Sequence, residues 1–183
     1  MKVLAIPGSL SAASSNAALL RAARSVAPAG SEFTFYDGLG GLPHFSPDLD
    51  VDPLPAPVAA LRAQIAAADA LAICSPEYAH GIPGSLKNAL DWLVSAVEPI
   101  GKPVLVVSAS PSGAGHAHVH LLEVLSTMMG TYLIDGGAHV FSRAKIDANG
   151  GITVPELLAA LETGFARLAE ACAAVRAEAL TAT

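Results

Sequence analysis

Ser, Asn, Tyr and His gather in three short segments rich in Gly or Pro, and none of these segments carries an acid–base or nucleophile pair. The first, Pro7–Asn16, holds Ser9, Ser11, Ser14, Ser15 and Asn16 just after Gly8. Hydroxyl and amide donors beside the free N–H groups of a helix start make a neutral site for a phosphate. Taken alone, the same residues equally suit an ordinary Ser/Asn-capped helix. The absence of Gly-Lys-Ser/Thr excludes a Walker loop. The second segment, Ser75–Gly84, is stiffened by Pro76 and Pro83, while Gly81 and Gly84 let backbone approach a ligand. Tyr78 and His80 offer planar faces there. In the third, Ser108–Gly115, Ser108, Ser110, Ser112 and Gly113 supply further donors. Gly113-Ala114-Gly115 matches only part of a dinucleotide fingerprint, since His118 stands at the third glycine position. Donors and flat faces without a catalytic pair suit a site in which a cofactor does the chemistry and the protein supplies position. No catalytic side chain is expected.

The elements that must position these loops are legible as apolar runs. Val3–Ile6, Ala70–Cys74, Val104–Val107 and Ala138–Phe141 are continuous, as in strands buried on both faces. Glu32–Tyr36 alternates and suits a sheet edge. Tyr132–Ile134 is a candidate opening of the last strand, with Gly136-Gly137 as a bulge or break. Helical spacing predicts helices over Asn16–Val26, Val58–Ala68, Leu86–Val97, His120–Met129 and Pro155–Ala179. Thr153 is the candidate N-cap of the last, and Gly164 inside it signals close packing. The alternation of strand and helix predicts an α/β fold: one domain over residues 1–183, with a doubly wound, five-stranded parallel sheet of flavodoxin-like order 2-1-3-4-5 and helices on both faces. In that order the three donor-rich loops leave the carboxyl ends of neighbouring strands. A phosphate at the first loop and a flat ring across the other two describe flavin mononucleotide (FMN). Asp37–Pro57 is a long Pro/Asp-rich connection, expected to be a functional rim or a dimer contact.

Composition narrows the function classes. The 183 residues carry a net charge of −6, which argues against nucleic acid or an anionic membrane as partner. No apolar run reaches the length of a membrane helix, and Pro7-Gly8 ends the first apolar stretch too early for a signal peptide. A soluble, cytoplasmic protein is expected. Cys74 and Cys172 form no CxxC pair, so neither a disulfide framework nor structural zinc is expected. His116, His118 and His120 would share a face only on a strand. On a helix His116 and His120 align, and the reading is a polar helix start rather than a metal site. With 52% hydrophobic and 14% charged residues, an oligomer that hides apolar surface is expected.

Three stretches together resemble the NADPH-dependent FMN reductase family. They are Gly8-Ser9-Leu10 with Ser14 and Asn16, Ser75-Pro76-Glu77-Tyr78, and the run from Gly81 to Leu93 that includes Leu86-Lys87-Asn88-Ala89-Leu90-Asp91-Trp92. Gly101-Lys102-Pro103-Val104 and the Ser108–Gly115 loop follow in order, so the resemblance spans Lys2 to Phe141. It implies an FMN-dependent NAD(P)H oxidoreductase in which NADPH or NADH passes hydride to flavin N5. A quinone, free flavin or azo compound then takes the electrons by a ping-pong route. It also implies a homodimer or homotetramer. By the resemblance Ser9, Ser11, Ser14, Ser15 and Asn16 lie at the FMN phosphate, and Pro76, Glu77 and Tyr78 line the ring. Gly81, Ser108, Ser110 and Gly113 complete that pocket. Two positions depart from the family pattern: Ser11 stands where Arg is usual, and Ala79 where Asn is frequent. A flavodoxin-like electron carrier and a flavin-free α/β binding domain are the alternatives.

Overall fold

A computed structural model describes residues 1–129 and 132–181. The five strands are β1 (Lys2–Pro7), β2 (Glu32–Phe35), β3 (Ala70–Ser75), β4 (Val104–Ser110) and β5 (Leu133–Val140). All pair in parallel, in the order β2-β1-β3-β4-β5. This is the expected flavodoxin-like sheet. Five α-helices, α1 (Ser15–Ala22), α2 (Ala56–Ala67), α3 (Gly84–Asp91), α4 (Gly115–Met129) and α5 (Pro155–Thr181), cover it.

The continuous apolar runs exist because alternate residues feed two cores. Leu4, Ile6, Leu71, Ile73, Val104 and Val106 face the side packed by α2, α3 and α4. Val3, Ala5, Ala70, Ala72, Cys74, Leu105 and Val107 face α1 and α5. Every residue of β3 and β4 is buried. A strand buried on both faces has no solvent side to carry polar residues. Gly164 marks the close packing expected of it: a Cβ there would stand 2.7 Å from Leu105 Cδ1. Gly136 and Gly137 form the irregularity expected within β5. The ladder with β4 shifts register between Val106 and Ser108, and Gly137 has φ +86°.

Several boundaries differ from the sequence reading. The helix expected over Asn16–Val26 leaves α geometry at Ala22 and finishes as a 3₁₀ turn, Ala23–Ser25. α3 stops at Asp91 instead of Val97. Past Trp92 the backbone bonds tighten to three residues back, Leu93 N to the Leu90 carbonyl and Val94 N to the Asp91 carbonyl, and the Trp92 carbonyl accepts from Arg62, through Nε at 3.2 Å and Nη2 at 2.7 Å. α4 starts at Gly115, before the expected His120, and Ser108 and Ser110 belong to β4 rather than to a loop. Thr153 is not the N-cap of α5: its hydroxyl donates to the Lys145 carbonyl at 3.0 Å, within a short hairpin bridged by Ile146 and Ile152.

The long Asp37–Pro57 connection is pinned against α2 and α3. The Asn88 amide accepts from Phe45 N and donates to the Pro43 carbonyl, and Trp92 Nε1 donates to the same carbonyl at 2.8 Å. Trp92 is fully buried, edge-on to Phe45, so it packs this connection and not a subunit contact. Arg62 pairs with Asp50 at 2.8 Å, both side chains largely buried. The Leu-Lys-Asn-Ala-Leu-Asp-Trp stretch therefore fixes a rim. Among the described residues no helix is long and apolar enough to cross a membrane.

Candidate functional site

The carboxyl ends of β1, β3 and β4 are neighbours, and the loops that leave them enclose a cavity of about 260 Å³. Its wall contains Ser9, Ser11, Ser14, Ser15 and Asn16 from the first loop, and Pro76, Glu77 and Tyr78 from the second. Ser110 joins them from the end of β4. Nine of the twelve residues singled out in the sequence thus meet at one cavity.

Gly8 lets the first loop come this close to the second. Its N–H donates to the Cys74 carbonyl at 2.8 Å, and a Cβ at this position would lie 2.9 Å from Leu86 Cδ2. The loop is then shaped by its own serines. Ser9 Oγ accepts from Ser11 N, Ser11 Oγ from Ala13 N, and Ser14 Oγ from Ala17 N at 3.1 Å, capping α1. Ser15 and Asn16 lie in the first turn of α1, where N–H groups have no carbonyl four residues back. Asn16 is buried with its Oδ1 held by the Cys74 S–H at 2.9 Å, which leaves Nδ2 as a fixed donor at the cavity wall. These donors at a helix N-terminus suit a phosphate.

The second loop is a tight hairpin. Tyr78 and Gly81 exchange both backbone hydrogen bonds, at 2.9 and 3.0 Å, and Ala79 and His80 both have positive φ, 49° and 60°. Gly81 closes that hairpin and lies outside the cavity wall. The Tyr78 ring is 55% exposed and so is free to act as a flat wall, with its hydroxyl 3.1 Å from Ser9 Oγ. Glu77 lines the cavity but also reaches sideways: Oε2 accepts from the Ala117 N–H in the first turn of α4 at 2.9 Å. A carboxylate at a helix N-terminus meets a favourable dipole, so Glu77 ties the second loop to α4.

Ser108 lies outside the cavity wall. It is fully buried in β4, 3.0 Å from His118 Nδ1, and is spent on that contact instead of the cavity. His118 Nε2 meets Asp135 Oδ1 at 2.8 Å, which also accepts from Gly137 N. Burial works to raise the Asp135 carboxyl, but the bonds from His118 and Gly137 prevail and hold it below its ordinary range. Gly113 lies outside the cavity wall too. With φ +89° it forms the turn after β4, where its carbonyl accepts from Ser110 Oγ. Ala109, Pro111 and Ser112 line the cavity instead, together with Ala13; Pro111 and Ser112 lie in the third segment that the sequence marks.

The histidines divide. His118 turns inward to Ser108 and Asp135, while His116 is exposed and stacks on His80 with ring centroids 4.1 Å apart. Among the described residues no group of three His, Cys, Asp or Glu could hold a metal. Cys74 and Cys172 are free and buried, and burial pushes the Cys74 thiol well above its ordinary value.

The model of the NADPH-dependent FMN reductase family matches residues 1–145, which include every wall of this cavity. The chain belongs to that family. It is 36% identical over 172 residues to a 2-hydroxy-1,4-benzoquinone reductase of Burkholderia sp, covering 89% of this chain and 91% of the relative. It is 35% identical to a quinone reductase of Escherichia coli strain K12, over 68% of this chain and 69% of that one. Among solved structures it is similar to FerB, a flavoenzyme NAD(P)H:acceptor oxidoreductase of Paracoccus denitrificans. The TM-score is 0.78 at 27% identity, with 93% of this chain and 96% of that one covered. This member of the family is an NAD(P)H-dependent flavin oxidoreductase with FMN as its cofactor. The donor set fits that group: free donors for a phosphate at α1, and flat walls at Pro76 and Tyr78.

Proposed function

We propose that this reductase takes electrons from NADPH or NADH and delivers them to a small flat acceptor, a quinone, free flavin or azo compound, by a ping-pong route. Bound FMN supplies the two-electron chemistry. The first turn of α1, with the Ser14 hydroxyl and Asn16 Nδ2, holds the phosphate. Pro76 and the Tyr78 ring wall the flat part, and Ser110 and Ser112 close the opposite side. Glu77 keeps the second loop and α4 at fixed separation. No side chain in the cavity is paired for proton transfer, so the protein acts by holding its partners in contact and by leaving one face for both substrates.

The observation that carries this reading is the convergence of the Ser9–Asn16 donors and the Pro76–Tyr78 wall on one cavity. Two flat ligands cannot stack on one face at once. Steady-state rates with NADPH and a benzoquinone should therefore give parallel double-reciprocal lines; intersecting lines would refute the shared face.

The same reading places the protein in the cytoplasm, in keeping with two unpaired buried cysteines. It makes the active form a homodimer or homotetramer. Val94, Val97 and Ile100 are 66%, 74% and 66% exposed on the segment after α3, an apolar surface suited to burial between subunits. Sedimentation equilibrium giving only a monomer at micromolar concentration would refute the assembly.

A further inference from the structure

A second and larger cleft, about 750 Å³, lies behind the first loop, between α1 and the segment that follows β5. Ser14 lines both this cleft and the candidate cofactor cavity, so one loop separates them. Three of the chain's six arginines, Arg21, Arg24 and Arg143, line it. Arg62 and Arg176 are paired to carboxylates elsewhere, whereas these three meet no carboxylate within 4.0 Å among the described residues. The Arg21 guanidinium lies 5.6 Å from the Phe35 ring centroid, a contact that orients it without neutralising it. Asp147, the acidic residue of the wall, is occupied in its own turn, accepting from Asn149 N at 2.8 Å and Gly151 N at 2.9 Å.

The cleft therefore carries an excess of positive charge in a chain whose net charge is −6. The candidate cofactor cavity has no Lys or Arg in its wall. The cationic groups have been placed beside the first loop, not in it. Guanidinium groups grip phosphate monoesters bidentately and stack on planar rings. Between them Ala18 and Ala22 give a small, apolar floor on which a flat base can lie. Cationic walls over an apolar floor, in a volume typical of small-ligand sites, select a phosphorylated nucleoside over a bare anion.

We propose that this arginine cleft binds the 2′-phosphoadenosine end of NADPH and so distinguishes the phosphorylated dinucleotide from NADH. The inference rests on the reading that a reduced nicotinamide dinucleotide is the electron donor. Arg24 and Arg143 are both exposed and outside the core, so the fold should tolerate their replacement.

Adenosine 2′,5′-bisphosphate, adenosine 5′-monophosphate and inorganic phosphate, each titrated calorimetrically into the FMN-loaded protein, test it without turnover. The bisphosphate should bind at least tenfold more tightly than the other two. Arg24→Gln/Arg143→Gln should weaken it at least tenfold, with melting temperature and FMN affinity unchanged. Equal affinity for bisphosphate and inorganic phosphate would overturn the proposal in favour of a simple anion site. An unchanged bisphosphate affinity in the double variant would overturn it by placing the ligand elsewhere. If NADPH fails to reduce the loaded protein in stopped-flow while the bisphosphate still binds through these arginines, the reading of function falls and the nucleotide cleft stands.

Discussion

Asn16 offers the sharpest test of how the cofactor's phosphate is held. Its carboxamide is buried and its Oδ1 is committed to the Cys74 S–H, so Nδ2 has a single orientation from which to donate. Asn16→Ala removes one hydrogen bond to a charged group, worth about 1.5–3 kcal/mol. At about 1.4 kcal/mol per decade this raises the FMN dissociation constant roughly tenfold to a hundredfold. The same change leaves Cys74 without an acceptor, but a thiol is a weak donor, and the folded apoprotein should lose no more than about 1 kcal/mol. Cys74→Ala separates the two effects, because it frees Oδ1 yet keeps Nδ2. Fluorescence-quenching titration of FMN into each apoprotein, paired with thermal unfolding, reads both quantities. Cys74→Ala should bind FMN within about threefold of the parent by the same accounting. A parental dissociation constant for Asn16→Ala would refute the reasoning. So would an equal loss in Cys74→Ala, since the effect would then come from packing.

Other outcomes follow from neighbouring geometry. Ala79 sits at φ +49°, where a side chain costs about 1–2 kcal/mol and Asn is tolerated; Ala79→Asn should raise stability by about 1 kcal/mol and Ala79→Val should lower it, read from urea midpoints. Gly136→Ala should destabilise by about 1–3 kcal/mol, because its Cβ would stand 2.8 Å from the Val106 carbonyl oxygen and 2.8 Å from Val107 Cγ2; an unchanged melting temperature would sink this account of the irregularity in β5. Asp135 is held below its ordinary range in the folded state, so its stabilisation is present above the unfolded value of about 3.9 and is lost as pH falls through the lower folded value. Asp135→Asn should accordingly cost stability at pH 7 and converge on the parent in acid; a gap that persists below the folded value would show that charge is not the cause.

The sheet was legible in the sequence because a strand buried on both faces leaves an unbroken apolar run, as Ala70–Cys74 and Val104–Val107 do. Strand–helix alternation then implies a parallel sheet, and in the flavodoxin-like order the Ser9–Asn16 and Pro76–Tyr78 segments come to one edge before any contact is known. What the sequence could not settle was the direction of each side chain at that edge. Ser108 and Ser110 read alike and, two residues apart on β4, share a face of the sheet; yet Ser108 is covered by His118, whereas Ser110, the last residue of the strand, reaches the cavity. Glu77 reads as a ring-lining residue. Only the approach of α4 reveals that its carboxylate caps a helix 40 positions further on. In the second cleft Arg143, after β5, lies far in sequence from Arg21 in α1 and Arg24 just beyond it. Short-range periodicity carries the burial of each element, whereas convergence of remote charges depends on how α1 and the chain beyond β5 pack on the same face of the sheet.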